Sequence, residues 1–296
     1  MLELLTRLRA LLAGGATVLA VGSGWFLVGP PDGAAPTIRV AAFNIQVFGR
    51  AKLAKEDVVD VLVRTARRFD VLVVQEVRDA EEGVADAFLE KINDGSDVRY
   101  AMHEGPREGR TSSKEQYVVY YRTPAIQLVA AEVADDSLDV FEREPLLVTL
   151  RADSLDFQLV VIHVKPDSAY QELRALEGLV ADLMAANPGE RDVIVLGDLN
   201  ADCRYLDEDR PDLPLSGERF HWVIGNDQVT TTASECTYDR IILTDETLAG
   251  SYVQGSASVF RFDTEFGLTD RAFVRSVSDH YPVYAEFLTA GVDADR

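Results

Sequence analysis

The sequence predicts an α/β (α+β) fold in which two β-sheets pack face to face and helices cover their outer faces. Three observations carry that prediction. Short β-branched runs recur from residue 38 to residue 288, helical patterns are interspersed among them, and the connections are short. Two stacked sheets with helices outside bury all of these strands. The chain has 296 residues, 47 % hydrophobic and 27 % charged, which excludes wholesale disorder and collagen-like repeats and leaves length for a substantial core.

At the N-terminus, Arg7 and Arg9 precede an uncharged stretch from Ala10 to Pro31. Its apolar part, residues 10–28, would span about 28 Å as a helix, close to a bilayer core, and the basic residues ahead of it favour export of the rest of the chain. Residues 1–36 are therefore expected to be a signal peptide, with Gly33-Ala34-Ala35 as a small-residue cleavage site, or a membrane anchor, followed by the linker Pro30-Pro31-Asp32-Gly33. Residues 37–289 show no internal repeat and no second linker, so they form one domain, with 290–296 as a short tail. Residues 38–45 alternate as a strand. Residues 52–68 place Leu53, Val58, Val59, Leu62 and Ala66 near helical spacing with Lys and Arg between them. A buried-strand pattern at 71–77 is followed by a helix at 80–92. Strands are expected at 117–122, 126–133, 146–150 and 157–164, a helix at 169–186, and strands at 193–196, 238–243 and 282–288.

Polar residues collect at the strand ends. Asn44 follows the first strand, Glu76 closes the second, and His163 ends the run 159–162. Asp198 and Asn200 leave the strand at 193–196 on the same face of an extended chain. Asp239 leads into Ile241-Ile242-Leu243, and Asp279 and His280 precede the last strand. Each alone reads as a cap, turn or ion-pair residue. Six strand ends carrying acids, amides and imidazoles together read as a site. Carboxylates and amides without a Cys/His cluster suit a hard, oxygen-ligated cation such as Mg²⁺, and two histidines with acids to hand can move protons near neutral pH. Neither a glycine-rich phosphate loop nor a Gly-x-Ser-x-Gly elbow is present, which leaves metal-assisted hydrolysis of a phosphate ester. Acidic residues outnumber basic ones by 50 to 29, a net charge of −21, which argues against binding a polyanion by global attraction.

Four segments make the pattern recognisable: Val40-Ala41-Ala42-Phe43-Asn44-Ile45, Gln75-Glu76-Val77-Arg78-Asp79, Gly197-Asp198-Leu199-Asn200-Ala201-Asp202-Cys203 and Ser278-Asp279-His280-Tyr281-Pro282-Val283. They resemble the endonuclease/exonuclease/phosphatase superfamily. Arg143-Glu144-Pro145, residues 200–205 and 236–241, and His163 narrow the resemblance to its deoxyribonuclease I-like branch. The resemblance covers residues 37–288 and implies a four-layer sandwich with mostly antiparallel sheets. It implies that Asn44, Glu76, Asp198 and Asp279 surround a catalytic Mg²⁺ or Mn²⁺, and that Asn200 bonds a phosphate oxygen. It further implies two acid–base dyads, His163 with Glu115 and His280 with Asp239, and DNA as partner. Arg78 would reach the minor groove, with Arg110 and Arg143 along the phosphate backbone. Cys203 and Cys236 would form a disulfide, which agrees with export. Structural Ca²⁺ is implied at Asp139, Phe141 and Glu144, with Asp135 or Asp136 as a further ligand, and a second loop, 227–234, has similar character. Ser113 stands where the family has a DNA-contacting tyrosine, removing a contact of about 1–3 kcal/mol on the single-strand scale. The rival functions are a lipid or sugar-phosphate phosphodiesterase of the same fold and a non-catalytic surface-binding module.

Overall fold

The computed structural model describes residues 17–21, 24–28 and 35–291. Thr17–Val21 (β1) and Gly24–Val28 (β2) pair as antiparallel strands. The apolar run thus differs from the expected helix where it is described. Val18, Val21, Trp25, Phe26 and Val28 are β-branched or aromatic residues, which favour a strand. The rest of the run, the 30–33 linker, Gly33-Ala34 and residues 292–296 lie outside the described residues. Among the described residues no helix is long and apolar enough to cross a membrane.

From Thr37 onward the strands are, in order, Thr37–Phe48 (β3), Val71–Val77 (β4), Arg99–Glu104 (β5), Gln116–Thr123 (β6), Ile126–Val133 (β7) and Leu146–Ala152 (β8). Leu155–His163 (β9), Val193–Asp198 (β10), Phe220–Trp222 (β11), Asp239–Thr244 (β12), Ser258–Val259 (β13) and Val283–Leu288 (β14) complete them. They form two six-stranded sheets, ordered β13-β14-β3-β4-β6-β5 and β11-β12-β10-β9-β8-β7. Each sheet has one parallel pair at its centre, β3/β4 and β9/β10; every other pair is antiparallel. The helices are Arg50–Leu53 (α1), Glu56–Ala66 (α2), Val84–Asn93 (α3), Ala169–Ala186 (α4), Asp245–Gly250 (α5), Phe262–Glu265 (α6) and Arg271–Val277 (α7).

Side-chain alternation sorts the strands into layers. Val40, Ala42, Val73, Val119, Leu159, Val161, Ile194, Leu196 and Ile241 fill the space between the sheets. Their neighbours Ala41, Phe43, Leu72 and Val74 face outward onto Val59, Leu62, Phe88 and Val274 of α2, α3 and α7. Val160, Ile162 and Val195 face outward onto Leu173, Leu176 and Val180 of α4. The result is the expected four-layer sandwich, and burial on both faces explains the unbroken apolar run at 71–74.

The expected helix 52–68 is divided at Ala54-Lys55 into α1 and α2. The helix expected from residue 80 begins at Val84, whose N–H, like that of Glu81, is taken by the Asp79 carboxylate. Strands β5, β11 and β13 and helices α5–α7 add to the elements read from sequence; the three strands are short or half exposed and carry weak alternation.

Cys203 and Cys236 form a disulfide, with Cα atoms 5.9 Å apart and 33 residues apart in sequence, joining the segment after β10 to the approach to β12. Closing such a loop is worth roughly 3–4 kcal/mol. Replacing both cysteines by serine is expected to lower the melting temperature by about 10 °C, given ~2–4 °C per kcal/mol for a domain of this size. A change under about 2 °C by differential scanning calorimetry would show that the bridge adds little.

Candidate active site

The same alternation that builds the inner core delivers the polar residues. Asn44 continues the inward series Val40-Ala42, His163 continues Leu159-Val161, and Asp198 continues Ile194-Leu196. Asp239 precedes Ile241-Leu243, and Glu115 precedes Tyr117-Val119. All five side chains are buried at the rim of the space between the sheets. Parallel pairing sets His163 directly beside Asp198, and Asn44 beside Gln75. Glu76 is out of phase with the series and reaches the site by a local irregularity. Its φ is +61° and the register of β4 against β6 shifts there.

The two dyads form. His163 Nδ1 lies 2.5 Å from Glu115 Oε1, and His280 Nδ1 lies 2.7 Å from Asp239 Oδ2. Their other ring nitrogens turn to one atom: His163 Nε2 is 3.5 Å and His280 Nε2 is 3.6 Å from Asp198 Oδ2. Asn44 Nδ2 donates to the same oxygen at 3.0 Å and to Glu76 Oε1 at 3.1 Å. Asn44 therefore ties two carboxylates together through its amide nitrogen, while its oxygen accepts from Gln46 N–H. Asp279 borders the cleft, with Oδ1 3.8 Å from His280 Nε2 and Oδ2 bonded by Gln46 Nε2 at 2.8 Å. Asn200, at φ +47°, donates from Nδ2 to Val164 O, and its backbone N–H is held by Asp198 Oδ1.

Charge in the site is strongly organised. Burial pushes the Glu115 carboxyl up, but His163, Arg143 and Arg78 outweigh it and bring it down to about 2. Burial disfavours the charged form of His280, yet Asp239, Asp198 and Asp279 raise it to about 10. His163 is also raised, burial being outweighed by Glu115. Burial raises Asp239 and Asp279.

The arginines are held by carboxylates. Arg78 Nη2 lies 3.0 Å from Glu76 and 3.3 Å from Glu115, and Nη1 donates to Ser113 Oγ at 2.8 Å, so the serine steadies the arginine. Arg143 is almost covered; its Nε donates to His163 O at 2.9 Å and lies 2.9 Å from Glu115 Oε1 in an ion pair, behind the first dyad. Arg110 lies farther out, half exposed, and pairs with Asp139. Asp139 is exposed and engaged by that arginine, Asp136 accepts from Val140 and Phe141 N–H, and Glu144 sits against Glu108, which burial and that neighbour raise to about 7. In the second loop Thr232 bonds Asp279 O and Ser278 O, bracing the segment that carries His280. Tyr205 and Tyr238 are half-buried ring neighbours of the site, Tyr238 lying 6.2 Å from His280.

Sequence reasoning missed four supporting residues. Ser278 Oγ donates to Asn44 O and accepts from His280 N–H. Tyr117 OH accepts from His163 N–H. Gln46 and Lys52 hold the loop after Asn44. Of the four, only Ser278 belongs to one of the recognisable motifs.

This fold and this strand-end cluster of dyads and carboxylates define a family. A model of the endonuclease/exonuclease/phosphatase family matches residues 41–280, and the chain belongs to that family. Within it the chain is deoxyribonuclease I-like, homologous to those enzymes over most of its length. It is 38 % identical over 261 residues to deoxyribonuclease-1-like 1 of Homo sapiens, covering 85 % of each chain. It is 34 % identical over 263 residues to deoxyribonuclease-1 of Homo sapiens, covering 84 % of this chain and 92 % of that one. Among solved structures, D. rerio TDP2 complexed with single strand DNA product superposes with a TM-score of 0.60 at 16 % identity, covering 85 % of this chain and 98 % of that chain. A family protein from Leptotrichia buccalis gives a TM-score of 0.62, also at 16 % identity, covering 84 % and 99 %. These two similarities concern the fold.

The geometry makes two predictions. Gly197 has φ +143°, and a Cβ there would stand 2.0 Å from Ile162 O, inside the β9/β10 ladder that sets His163 beside Asp198. Gly197→Ala is expected to cost stability and at least tenfold in phosphodiesterase rate; a variant with parental melting temperature and rate would contradict it. The second concerns pH. Glu115, depressed on folding, contributes stability above its unfolded value of about 4.3 that is lost as pH falls towards 2. His280, raised on folding, contributes stability that is complete below about 6.5 and lost as pH rises through about 10. In EDTA, Glu115→Gln should flatten the melting-temperature profile between about pH 4.5 and 3, and His280→Gln between about pH 6.5 and 9. Profiles parallel to the parent's would count against both shifts.

Proposed function

We propose that the chain is an exported, Mg²⁺- or Mn²⁺-dependent endonuclease that hydrolyses DNA phosphodiester bonds to 5′-phosphate and 3′-hydroxyl ends with little sequence preference. The single observation that carries the reading is that two imidazoles, each backed by its own buried carboxylate, meet across one Asp198 oxygen. A phosphorus placed there would have a ring on either side.

The donor set fits a hard divalent ion. Asp279 Oδ1 is buried without a hydrogen-bond partner among the described residues, and the nearby groups of Glu76, Asp198 and Asp279 are all oxygens. Glu76 and Asp279 would hold the ion with Asp198, while Asn44, as placed, keeps Glu76 and Asp198 in position. When bound, the ion supplies charge stabilisation at the phosphate. The chain's residues do the rest. One imidazole takes the proton of the attacking water and the other gives a proton to the departing 3′ oxygen. Glu115 and Asp239 fix the ring tautomers and favour the charged rings, as the aspartate of a catalytic triad does. Asn200 donates to a phosphate oxygen. Arg78, on the cleft rim, extends towards the minor groove, where readout is coarse, and Arg110 sets positive charge along the backbone path; Arg143, expected there too, is almost covered and instead braces Glu115 and the His163 carbonyl. Ca²⁺ at the Asp139–Glu144 loop is a structural addition to this reading, and the apolar segment at 10–28 with the disulfide supports export, as a secreted or anchored protein.

The test is nicking of supercoiled plasmid. With Mg²⁺ and Ca²⁺ present the parent should nick, EDTA should stop it, and His163→Ala and His280→Ala should each lose at least a hundredfold. Intact plasmid with both ions present would overturn the nuclease reading. Hydrolysis of sphingomyelin or a phosphoinositide under those conditions would move the substrate to a lipid phosphodiester.

A further inference from the structure

We propose that Lys52 is a positioning residue, whose ammonium fixes the irregular last stretch of β3 against the end of α7 so that Asn44, Glu76, Asp279 and His280 hold their places around one phosphate. The proposal rests on the reading that this cleft takes a divalent cation and a phosphodiester.

Lys52 Nζ donates to three carbonyl oxygens, Ile45 O at 2.6 Å, Gln46 O at 2.6 Å and Val277 O at 2.9 Å. An ammonium has three N–H donors, so these contacts use its whole capacity, and it makes no salt bridge among the described residues. Convergence of three carbonyls on a point suits an ammonium better than a planar guanidinium. Two of the three belong to the strained, irregular stretch of β3 between Asn44 and Phe48. Gln46 and Val47 have φ of +49° and +51°, and a β-branched residue in the left-handed region is an outlier. The Val47 side chain is 51 % exposed, so burial does not hold it there. This stretch is held by polar groups: Lys52 on the carbonyls, Glu76 Oε2 on Val47 N–H, and Asn44 Oδ1 on Gln46 N–H.

The third carbonyl belongs to the last residue of α7, where a cation is favoured by the helix dipole. The next residues, Ser278 to His280, carry the other half of the site. Ser278 Oγ makes a parallel tie, donating to Asn44 O and accepting from His280 N–H, and Gln46 Nε2 reaches Asp279 Oδ2. Lys52 thus sits under the seam between the Asn44–Glu76 side and the Asp279–His280 side, and touches neither substrate nor reacting atoms. Without it three carbonyl oxygens would face one another.

The experiment compares the parent with Lys52→Met and with Lys52→Gln, which keeps two N–H donors on a shorter stem. The readings are the Mg²⁺ concentration giving half-maximal nicking, kcat and KM for DNA, the rise in melting temperature on adding Mg²⁺ without DNA (expected to shrink in Lys52→Met), and the ring signals of His280 by NMR in EDTA. Lys52→Met is expected to raise the Mg²⁺ half-saturation at least fivefold, lower kcat at least tenfold with KM for DNA within threefold, and shift the His280 signals; Lys52→Gln should lie between. A reversibly unfolded fraction would itself raise the apparent half-saturation, so all variants are compared at a temperature well below each melting temperature, where the folded fraction is close to one. A folded variant of either kind with half-saturation, kcat and His280 signals like the parent's overturns the proposal, even if its melting temperature is lower. If the parent fails to nick DNA, the nuclease reading fails, and the thermal-shift and ring-signal comparisons still decide the role of Lys52.

Discussion

Asp198 Oδ2 accepts from the Asn44 amide and faces the Nε2 atoms of both His163 and His280. The contacts come from four strand ends in two sheets, and a buried carboxylate is stable there only because cationic and N–H groups surround it. The parallel pairs at the sheet centres make this possible. Each delivers two adjacent C-terminal ends to one edge of the sandwich, and stacking the sheets brings those edges together. Antiparallel neighbours then supply Asp239 beside Asp198 and Glu115 ahead of β6. The inner core is thus a frame that fixes where five polar groups end.

The price of that arrangement is a crowd of negative charge, and the arginines answer it locally. Arg78 spans Glu76 and Glu115, and Arg143 lies behind Glu115 against the His163 carbonyl. Both are engaged before any ligand arrives. On the proposed reading, a phosphodiester entering the cleft would compete with carboxylates for Arg78 instead of meeting a free cation, and in a chain of net charge −21 little long-range attraction would assist it. In the proposed reading, a divalent ion would change that balance by giving Glu76 another partner. The acidity and the proposed metal dependence are in this sense one property.

Much of this was legible in the sequence because alternation is a strict rule. The series Val40-Ala42-Asn44, Leu159-Val161-His163 and Ile194-Leu196-Asp198 each place a polar residue on the inward face simply by counting in twos, and the helix at 169–186 was readable to the residue. The features that escaped are those that break periodicity. Glu76 turns towards the site through a positive φ, and Gln46 and Val47 adopt left-handed geometry without a glycine to announce it. Lys52 sits in a helical pattern where a lysine reads as a solvated charge, and only tertiary contact turns it onto three carbonyls. The apolar run misled in the opposite way at Thr17–Val21 and Gly24–Val28: hydrophobicity implied a helix, while β-branched and aromatic residues allowed paired strands.

The two dyads are also unequal in a way that bears on chemistry. His163 shares its carboxylate with Arg143, so part of Glu115's charge is already neutralised, whereas His280 faces Asp239 with Asp198 and Asp279 close by and no arginine among its largest influences. Both rings are held towards the charged form, the first chiefly by Glu115 and the second by Asp239, Asp198 and Asp279. A cation held by Asp279 and Asp198 would withdraw two of the three acids that sustain the charge on His280, whereas His163 draws its charge mainly from Glu115. In the proposed reading, a bound ion would therefore weaken the hold on the proton of His280, which loses the support of Asp279 as well as Asp198, more than the hold on the proton of His163.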